Sequence, residues 1–457
     1  MEFNHGIFRE YDIRGVADRD LTDAVLAPLS RALGTYYVGK GKKKISIGYD
    51  CRVSSPRIRD AFLTGFLDCG LNVRLIGEVP TPLLYFSVFK GKLDGGVMIT
   101  GSHNPAEHNG FKMLCGDSTI HGEEIQKLKQ IMMSGDFAKG KGSLEEYSVD
   151  EEYITHVLEG ITHPVNVKVV MDNGNGSGGP IAKALYERMG CSLTSLYVKP
   201  DGTFPNHHPD PTVLENLEEL IETVKKNGAQ VGIGFDGDAD RIGAVSGSGR
   251  PVFGDELLSV YAKDVLTNHP GASIISEVKA SHRLFQSIEK NGGKPVMWKT
   301  GHSLIKAKMK ELSSPLAGEM SGHMFFKDRY YGYDDAIYAG ARLIEILHLT
   351  GKSLDELLSE LPDTHTTAEI RVDCPDEIKF EVVAAATESL RDSGCDVKDI
   401  DGARVEFADG WGLVRASNTQ PVLVYRFEAS TEARLGEIRS LVESAVSDAI
   451  SKRSKTA

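Results

Sequence analysis

The stretch Gly95-Gly96-Val97-Met98-Ile99-Thr100-Gly101-Ser102-His103-Asn104-Pro105 sets the frame for the whole chain. Its first five residues form a short apolar run, the pattern of a buried strand. α/β folds place their chemistry just beyond the carboxyl end of such a strand, where Ser102 stands between Gly101 and His103. The Asn-Pro pair favours a turn and breaks regular structure, which holds Ser102 on a tight loop. On these residues alone, a turn with a solvated serine competes with a functional one. The rest of the chain decides between them.

Outward from this loop, strand and helix patterns alternate from Lys44 to about residue 133. Ile45-Ser46-Ile47-Gly48-Tyr49 reads as a strand. Ser54-Ser55-Pro56 opens a helix with a cap and an early proline, running towards Cys69-Gly70. Val73-Arg74-Leu75-Ile76 is the next strand, and 82–89 is helical. Beyond the loop, Gly110-Phe111-Lys112-Met113-Leu114 is a strand that puts Lys112 close behind the serine. The alternation implies a βαβ sheet, mostly parallel. Before it, Ile7-Phe8-Arg9-Glu10-Tyr11-Asp12-Ile13-Arg14-Gly15 is dense in charge and aromatic groups. It reads as a strand with an ordinary salt bridge, or as an arginine, Arg14, aimed into a cleft. Residues 134–150, rich in Gly, Ser and charge, mark a boundary.

A second set opens at Val167-Lys168-Val169-Val170-Met171-Asp172, followed by Gly174-Asn175-Gly176-Ser177-Gly178-Gly179 and a helix to Met189-Gly190. Gly174, Gly176 and Gly179 satisfy the dinucleotide fingerprint G-x-G-x-x-G. The next strand, however, finishes Tyr197-Val198-Lys199 with no acidic residue, so a tight strand-to-helix turn is the better account. Residues 212–226 read as an amphipathic helix stopped by Asn227-Gly228. Val231-Gly232-Ile233-Gly234-Phe235 then runs into Asp236-Gly237-Asp238-Ala239-Asp240-Arg241.

A third set covers about 254–366, with helices near 255–268, 282–291 and 302–312, strands over 273–278 and 295–298, and a long helix from 334 to about 349. Between these elements lie Lys299-Thr300-Gly301-His302-Ser303 and Gly318-Glu319-Met320-Ser321-Gly322-His323. Three similar units of ~100 residues suggest diverged repeats. From about 367 the character changes. Strands over 368–372 and 402–407, helices over 379–391 and 434–450, and strand-like runs around Arg415-Ala416-Ser417-Asn418-Thr419-Gln420-Pro421 describe a small α+β domain. The expected domains are 1–150, 151–253, 254–366 and 367–457.

At 457 residues the chain exceeds a single core. A net charge of −13 argues against nucleic acid or an anionic membrane as main partner, so any anion must be met by locally gathered cations. Cys51, Cys69, Cys115, Cys191, Cys374 and Cys395 are scattered with no C-x-x-C pair, and read as reduced thiols. Neither a secretory leader nor ~18 consecutive apolar residues occurs, which makes a cytoplasmic protein the expectation.

Asp236, Asp238 and Asp240 alternate, and in an extended segment all three carboxylates project to one side. Three like charges together call for a cation, and oxygen-only ligands favour Mg²⁺ or Ca²⁺ over zinc. The spacing begins like an EF-hand but has Arg241 where Gly is required and Gly247 where Glu is required. Three ligands with open positions suit Mg²⁺ shared with a phosphate oxygen. Arg415-Ala416-Ser417-Asn418-Thr419 gathers a guanidinium, two hydroxyls, an amide and loop N–H groups, the inventory of a phosphate grip. Glu319, Ser321 and His323 offer a carboxylate, a hydroxyl and an imidazole on a glycine-flanked loop, able to fix sugar hydroxyls and move a proton.

These four stretches, in this order and spacing, resemble the α-D-phosphohexomutase superfamily, in its bacterial phosphomannomutase/phosphoglucomutase branch, over essentially the full length. The resemblance implies three similar mixed-sheet βαβ domains and a smaller C-terminal α+β domain around a central cleft. It implies a phosphoserine at Ser102 and one Mg²⁺ held by Asp236, Asp238 and Asp240 together with Ser102. Arg14, His103, Lys112 and Arg241 would surround the phosphoryl group, with His323 moving a proton. Tyr11, Lys279, His302, Glu319, Ser321, Arg415, Ser417, Asn418 and Thr419 would bind the hexose phosphate. The activity implied is exchange of hexose 1-phosphate and 6-phosphate through a hexose 1,6-bisphosphate intermediate and activator, by a monomer or weak dimer. Met320 matches the mannose/glucose branch; a phosphoglucosamine mutase, usually Gly-Glu-Gln-Ser-Gly-His here, is the alternative. Gln420 departs from the threonine or small residue of related loops with little expected consequence. A phosphatase, or a binding protein without turnover, would represent other classes.

Overall fold

The computed structural model describes residues 3–418 and 420–454. Four sheets follow one another along the chain, and the first three share one plan. In the first, Gly95–Ile99, buried at every position, lies parallel to Lys44–Tyr49, which lies parallel to Asn72–Glu78. On its other side His108–Cys115 returns antiparallel. The second sheet repeats this order with Val231–Phe235, Lys168–Asp172, Ser192–Leu196 and the returning Ile242–Ser246. The third does so with Leu316–Gly318, Ser273–Glu277, Lys294–Trp298 and Met324–Phe326. Because the strand that delivers each loop pairs antiparallel with the one that follows it, the sheets are mixed, and the first is less parallel than strand-helix alternation suggested.

This plan puts three special stretches at one topological position. The Ser102 loop, the aspartate turn and the Glu319–His323 turn each join a buried central strand to its antiparallel return. The helix Ala336–Thr350, buried on nearly every side, packs against strands of both the second and third sheets and binds those units together. The fourth sheet is antiparallel throughout, with Lys379–Asp392 and Glu432–Ser454 packed against it.

Several elements differ from the sequence reading. The opening segment is a short 3₁₀ turn, His5–Ile7, and only Ile13–Val16 is strand. The helix expected over 212–226 is a 3₁₀ turn, Leu214–Leu217, followed by the α-helix Glu218–Asn227. In the tail the strand is Ile370–Asp373. The Gly-rich stretch after residue 134 contains Ser143–Glu146, which closes the first sheet beside Asn72–Glu78. His365–Thr366 already pairs with Val422–Ala429, so the chain enters the fourth sheet before residue 367. Among the described residues all six cysteines are free, and no helix is long and apolar enough to cross a membrane.

Candidate active site

Ser102 is buried and left-handed, with φ +51°, a conformation a non-glycine residue keeps only when its surroundings hold it. Its N–H donates to Thr100 Oγ1 at 2.8 Å, and the Gly101 N–H donates to Asp50 Oδ2 at 3.0 Å. Ser102 Oγ donates to Asp236 Oδ2 at 2.8 Å and lies 3.1 Å from His103 Nδ1. The hydroxyl of the first sheet thus rests directly on a carboxylate of the second.

The three aspartates converge by a different geometry from the one expected. They sit on a tight turn, not an extended segment: Ala239 has φ +53° and donates to Asp236 O at 3.0 Å. Asp236 Oδ1 accepts the N–H groups of Asp240 and Arg241, each at 3.1 Å, which curls the carboxylates inward. All three are fully buried, with ligand atoms within 4.8 Å of one another. Glycines make the docking possible. A Cβ on Gly237 would meet Ser102 O at 2.5 Å, and one on Gly176 would meet Gly237 O at 2.7 Å. The G-x-G-x-x-G turn therefore makes room for the aspartate turn.

Lys112 Nζ donates to Asp238 Oδ2 at 2.6 Å and also to Asp240 Oδ2. Thr81, opening the helix Thr81–Gly91, donates its hydroxyl to Asp238 Oδ2 at 2.5 Å and its N–H to Asp238 O at 2.9 Å. Burial disfavours the Lys112 charge, but Asp238 and Asp240 outweigh it and hold the amine protonated above its usual range. Burial pushes Asp236 well above the ordinary carboxylate range, and Asp238 and Asp240 add to the shift. Asp238 resists the same burial because Lys112 is beside it, and lies below that range. The set fits a hard divalent cation, since Asp238 Oδ1 and Asp240 Oδ1 are buried acceptors without a hydrogen-bond partner.

His323 faces this cluster from the third unit. Arg241 Nε donates to its Nε2 at 3.1 Å, while Nδ1 lies 3.2 Å from Asp240 O. Asp334 Oδ2 is 3.4 Å from both His302 Nδ1 and His323 Nδ1, and Lys306 Nζ reaches Asp334 Oδ1 at 2.9 Å. The two imidazoles stack with centroids 5.5 Å apart. Burial, reinforced by Lys306, lowers His302 to about 4, so its ring is neutral near pH 7. Glu319 accepts the Gly301 N–H at 2.7 Å, and burial pushes its carboxyl above the usual range. Ser321 is half-buried on the same turn.

The fourth unit closes the opposite side. Arg415 Nε donates to Asp401 Oδ2 at 3.0 Å, and Asn418 Nδ2 donates to Tyr11 Oη at 2.6 Å. Tyr11 Oη in turn donates to Thr300 O at 2.9 Å. Lys279 Nζ pairs with Glu369 at 2.9 Å, and Ser417 is buried nearby in sequence to Asn418. Arg14 reaches Asn104 Oδ1 at 2.8 Å and Asp12 Oδ2 at 2.7 Å, which places it against the serine loop. Thr419 lies outside the described residues. Thr81 at a helix start, Lys306 inside the helix His302–Leu312 and Asp334 just ahead of the helix Ala336–Thr350 carry no mark in the sequence beyond their polarity.

The chain matches four family descriptions in order. Phosphoglucomutase/phosphomannomutase alpha/beta/alpha domains I, II and III match residues 5–139, 151–249 and 253–365, and the C-terminal domain matches 369–445. A phosphomannomutase/phosphoglucomutase of Pseudomonas putida is 46% identical over 437 residues, covering 95% of this chain and 94% of the relative. A phosphoglucomutase of Neisseria meningitidis is 43% identical over 438 residues, covering 95% of each. A crystal structure of a phosphoglucomutase/phosphomannomutase family protein from Burkholderia thailandensis superposes with TM-score 0.92 at 40% identity, covering 98% of each chain.

Proposed function

The chain belongs to the phosphoglucomutase/phosphomannomutase family, and we propose that it interconverts hexose 1-phosphate and hexose 6-phosphate, of mannose or glucose, by way of a phosphoryl group on Ser102 Oγ. The observation that carries this reading is the buried Ser102 hydroxyl set against Asp236, with Lys112 on the neighbouring aspartates and the half-buried Arg14 and Arg241 on Asn104 and His323 beside them.

In the transfer step the Ser102 Oγ–P bond breaks as a sugar hydroxyl oxygen forms the new O–P bond. His323 takes the hydroxyl proton, and Ser102 Oγ leaves carrying the negative charge. Lys112, Arg241 and Arg14 offset the charge spread over the phosphoryl oxygens, where positioning and electrostatics dominate. His103, next to Ser102 Oγ, helps position the group; burial, with Arg241 and Arg14, lowers its pKa well below the ordinary range. Mg²⁺, one per chain, would be held by Asp236, Asp238 and Asp240 with an oxygen on Ser102, and supplies positive charge to the same oxygens when bound.

Glu319, Ser321 and His302 read the sugar hydroxyls. Lys279, Arg415, Ser417, Asn418 and Thr419 hold the phosphate that is not reacting, with Tyr11 across the cleft. The bisphosphorylated sugar then reorients and returns its other phosphate to Ser102. Hexose 1,6-bisphosphate therefore also serves as activator, and the working unit is a monomer or weak dimer. Met320 and the similarity to phosphomannomutase/phosphoglucomutases favour mannose and glucose over glucosamine.

Intact mass of the purified protein, together with turnover of mannose, glucose and glucosamine 1-phosphates by wild type and Ser102→Ala, tests the reading. One phosphoryl group that disappears along with turnover in the variant is expected. Near wild-type turnover in Ser102→Ala, or steady release of inorganic phosphate in place of isomer, would overturn it.

A further inference from the structure

Beneath the serine loop lies a residue that neither composition nor motif marks. Arg52 is 1% exposed, and every N–H of its guanidinium is engaged. Nη2 donates to Ser102 O at 2.8 Å and Asn104 O at 2.6 Å. Nη1 donates to Pro105 O at 2.5 Å and His108 O at 3.0 Å, and Nε donates to Asp50 Oδ2 at 3.2 Å. His208 Nε2 hydrogen-bonds the carbonyl in between, His103 O, from the second unit. Four consecutive carbonyls, from Ser102 to Pro105, are thus each met by a side chain from outside the loop.

The supports are themselves held. Asp50 Oδ1 accepts the Ser55 hydroxyl at 2.6 Å and the Arg52 N–H at 3.0 Å, while Oδ2 accepts the Gly101 N–H at 3.0 Å. Phe204, from the same second-unit segment as His208, lies under the guanidinium at 5.2 Å. That segment also passes close behind it: a Cβ on Gly202 would meet Arg52 Cα at 2.6 Å. A planar fork with five fixed donors can satisfy diverging carbonyls in a way a lysine's point charge cannot.

We propose that Arg52 is a positioning residue for phosphoryl transfer, which, with His208 and Phe204, holds the left-handed Ser102 so that Oγ stays on Asp236. Among the described residues no group proposed to recognise the sugar or the distal phosphate hydrogen-bonds Arg52, so its loss falls on the transfer step and spares binding. The proposal rests on Ser102 as the phosphoryl carrier.

Steady-state kinetics of the full-length enzyme with Mg²⁺ test it through Arg52→Met, Arg52→Lys and His208→Ala, with Ser102→Ala alongside. A displacement of the reacting oxygen by about 1 Å costs on the order of 100-fold in rate, so Arg52→Met is expected to lower kcat by about that factor with KM within about threefold. Arg52→Lys recovers only part of the loss, and His208→Ala, which removes one support, lowers kcat by about tenfold at unchanged KM. Should Arg52→Met fail to fold, His208→Ala carries the test. A folded Arg52→Met with kcat within about threefold of wild type overturns the clamp, as does a loss that appears equally in KM or an unchanged kcat in His208→Ala. Those outcomes beside an inert Ser102→Ala leave the carrier reading intact, whereas an active Ser102→Ala removes the carrier itself.

Discussion

Lys112 shows how one residue makes the acidic turn tolerable. Removing one partner from a buried ion pair leaves uncompensated charge and costs about 3–5 kcal/mol. Lys112→Met strips that partner from Asp238 and Asp240 together. Thermal melts in EDTA should show destabilisation on that scale, and titrated Mg²⁺ should restore part of it by supplying charge to the same carboxylates. The variant's kcat should also fall by about 100-fold or more, since a cation is lost where charge develops. At this scale the sequence was informative wherever like residues cluster: Ser102, the three aspartates and Glu319 to His323 are visible as runs. It misled about how the aspartates converge, because alternation has a meaning in a strand that it lacks on a turn with a left-handed Ala239. It was silent on Arg52, Thr81, Lys306 and Asp334, whose partners lie far along the chain; Thr81 and Asp238 are separated by 157 positions.

At the level of elements, the helix Ala336–Thr350 starts on a carboxylate in an unusual setting. Asp335 caps it by accepting the Tyr338 N–H at 2.8 Å, and it also accepts the hydroxyls of Tyr153 and Tyr330. Among the described residues it forms no ion pair, and burial raises its pKa from 3.8 to about 7. Linkage fixes the sign: between 3.8 and about 7 the folded state binds the proton more tightly, so this group's contribution is full below 3.8 and declines as pH rises to about 7. Asp335→Asn, compared with wild type by urea unfolding from pH 4 to 8, should remove a downward slope of up to about 1.4 kcal/mol per pH unit. Helices and buried strands were legible from apolar period and punctuation. The overshoot at 212–226 arose because amphipathic spacing continues through the 3₁₀ turn that precedes the α-helix. The threefold repetition was legible only as a succession of similar units. That the serine loop, aspartate turn and sugar turn occupy one equivalent position depends on pairing partners, which a sequence does not display.

For the whole molecule, Tyr11 is the point where three units meet. Its hydroxyl donates to Thr300 O and accepts from Asn418, linking the first, third and fourth units across the cleft. A net hydrogen bond contributes about 0.5–1.5 kcal/mol, so Tyr11→Phe should raise KM for hexose 1-phosphate by about 2- to 12-fold. Water admitted by a looser closure should also increase phosphate release per isomerisation, which a coupled phosphate assay can follow. The outline of three α/β units and a smaller antiparallel one was legible; the way they lean on each other was not. The shared site has a consequence for how the protein is made. Ser102 finds Asp236 only after the chain has grown 134 residues further. A nascent chain leaving the ribosome carries the serine long before it carries the carboxylates and the His208 segment that complete its surroundings. Order of synthesis alone therefore withholds the serine's complete surroundings until the second unit has arrived and docked.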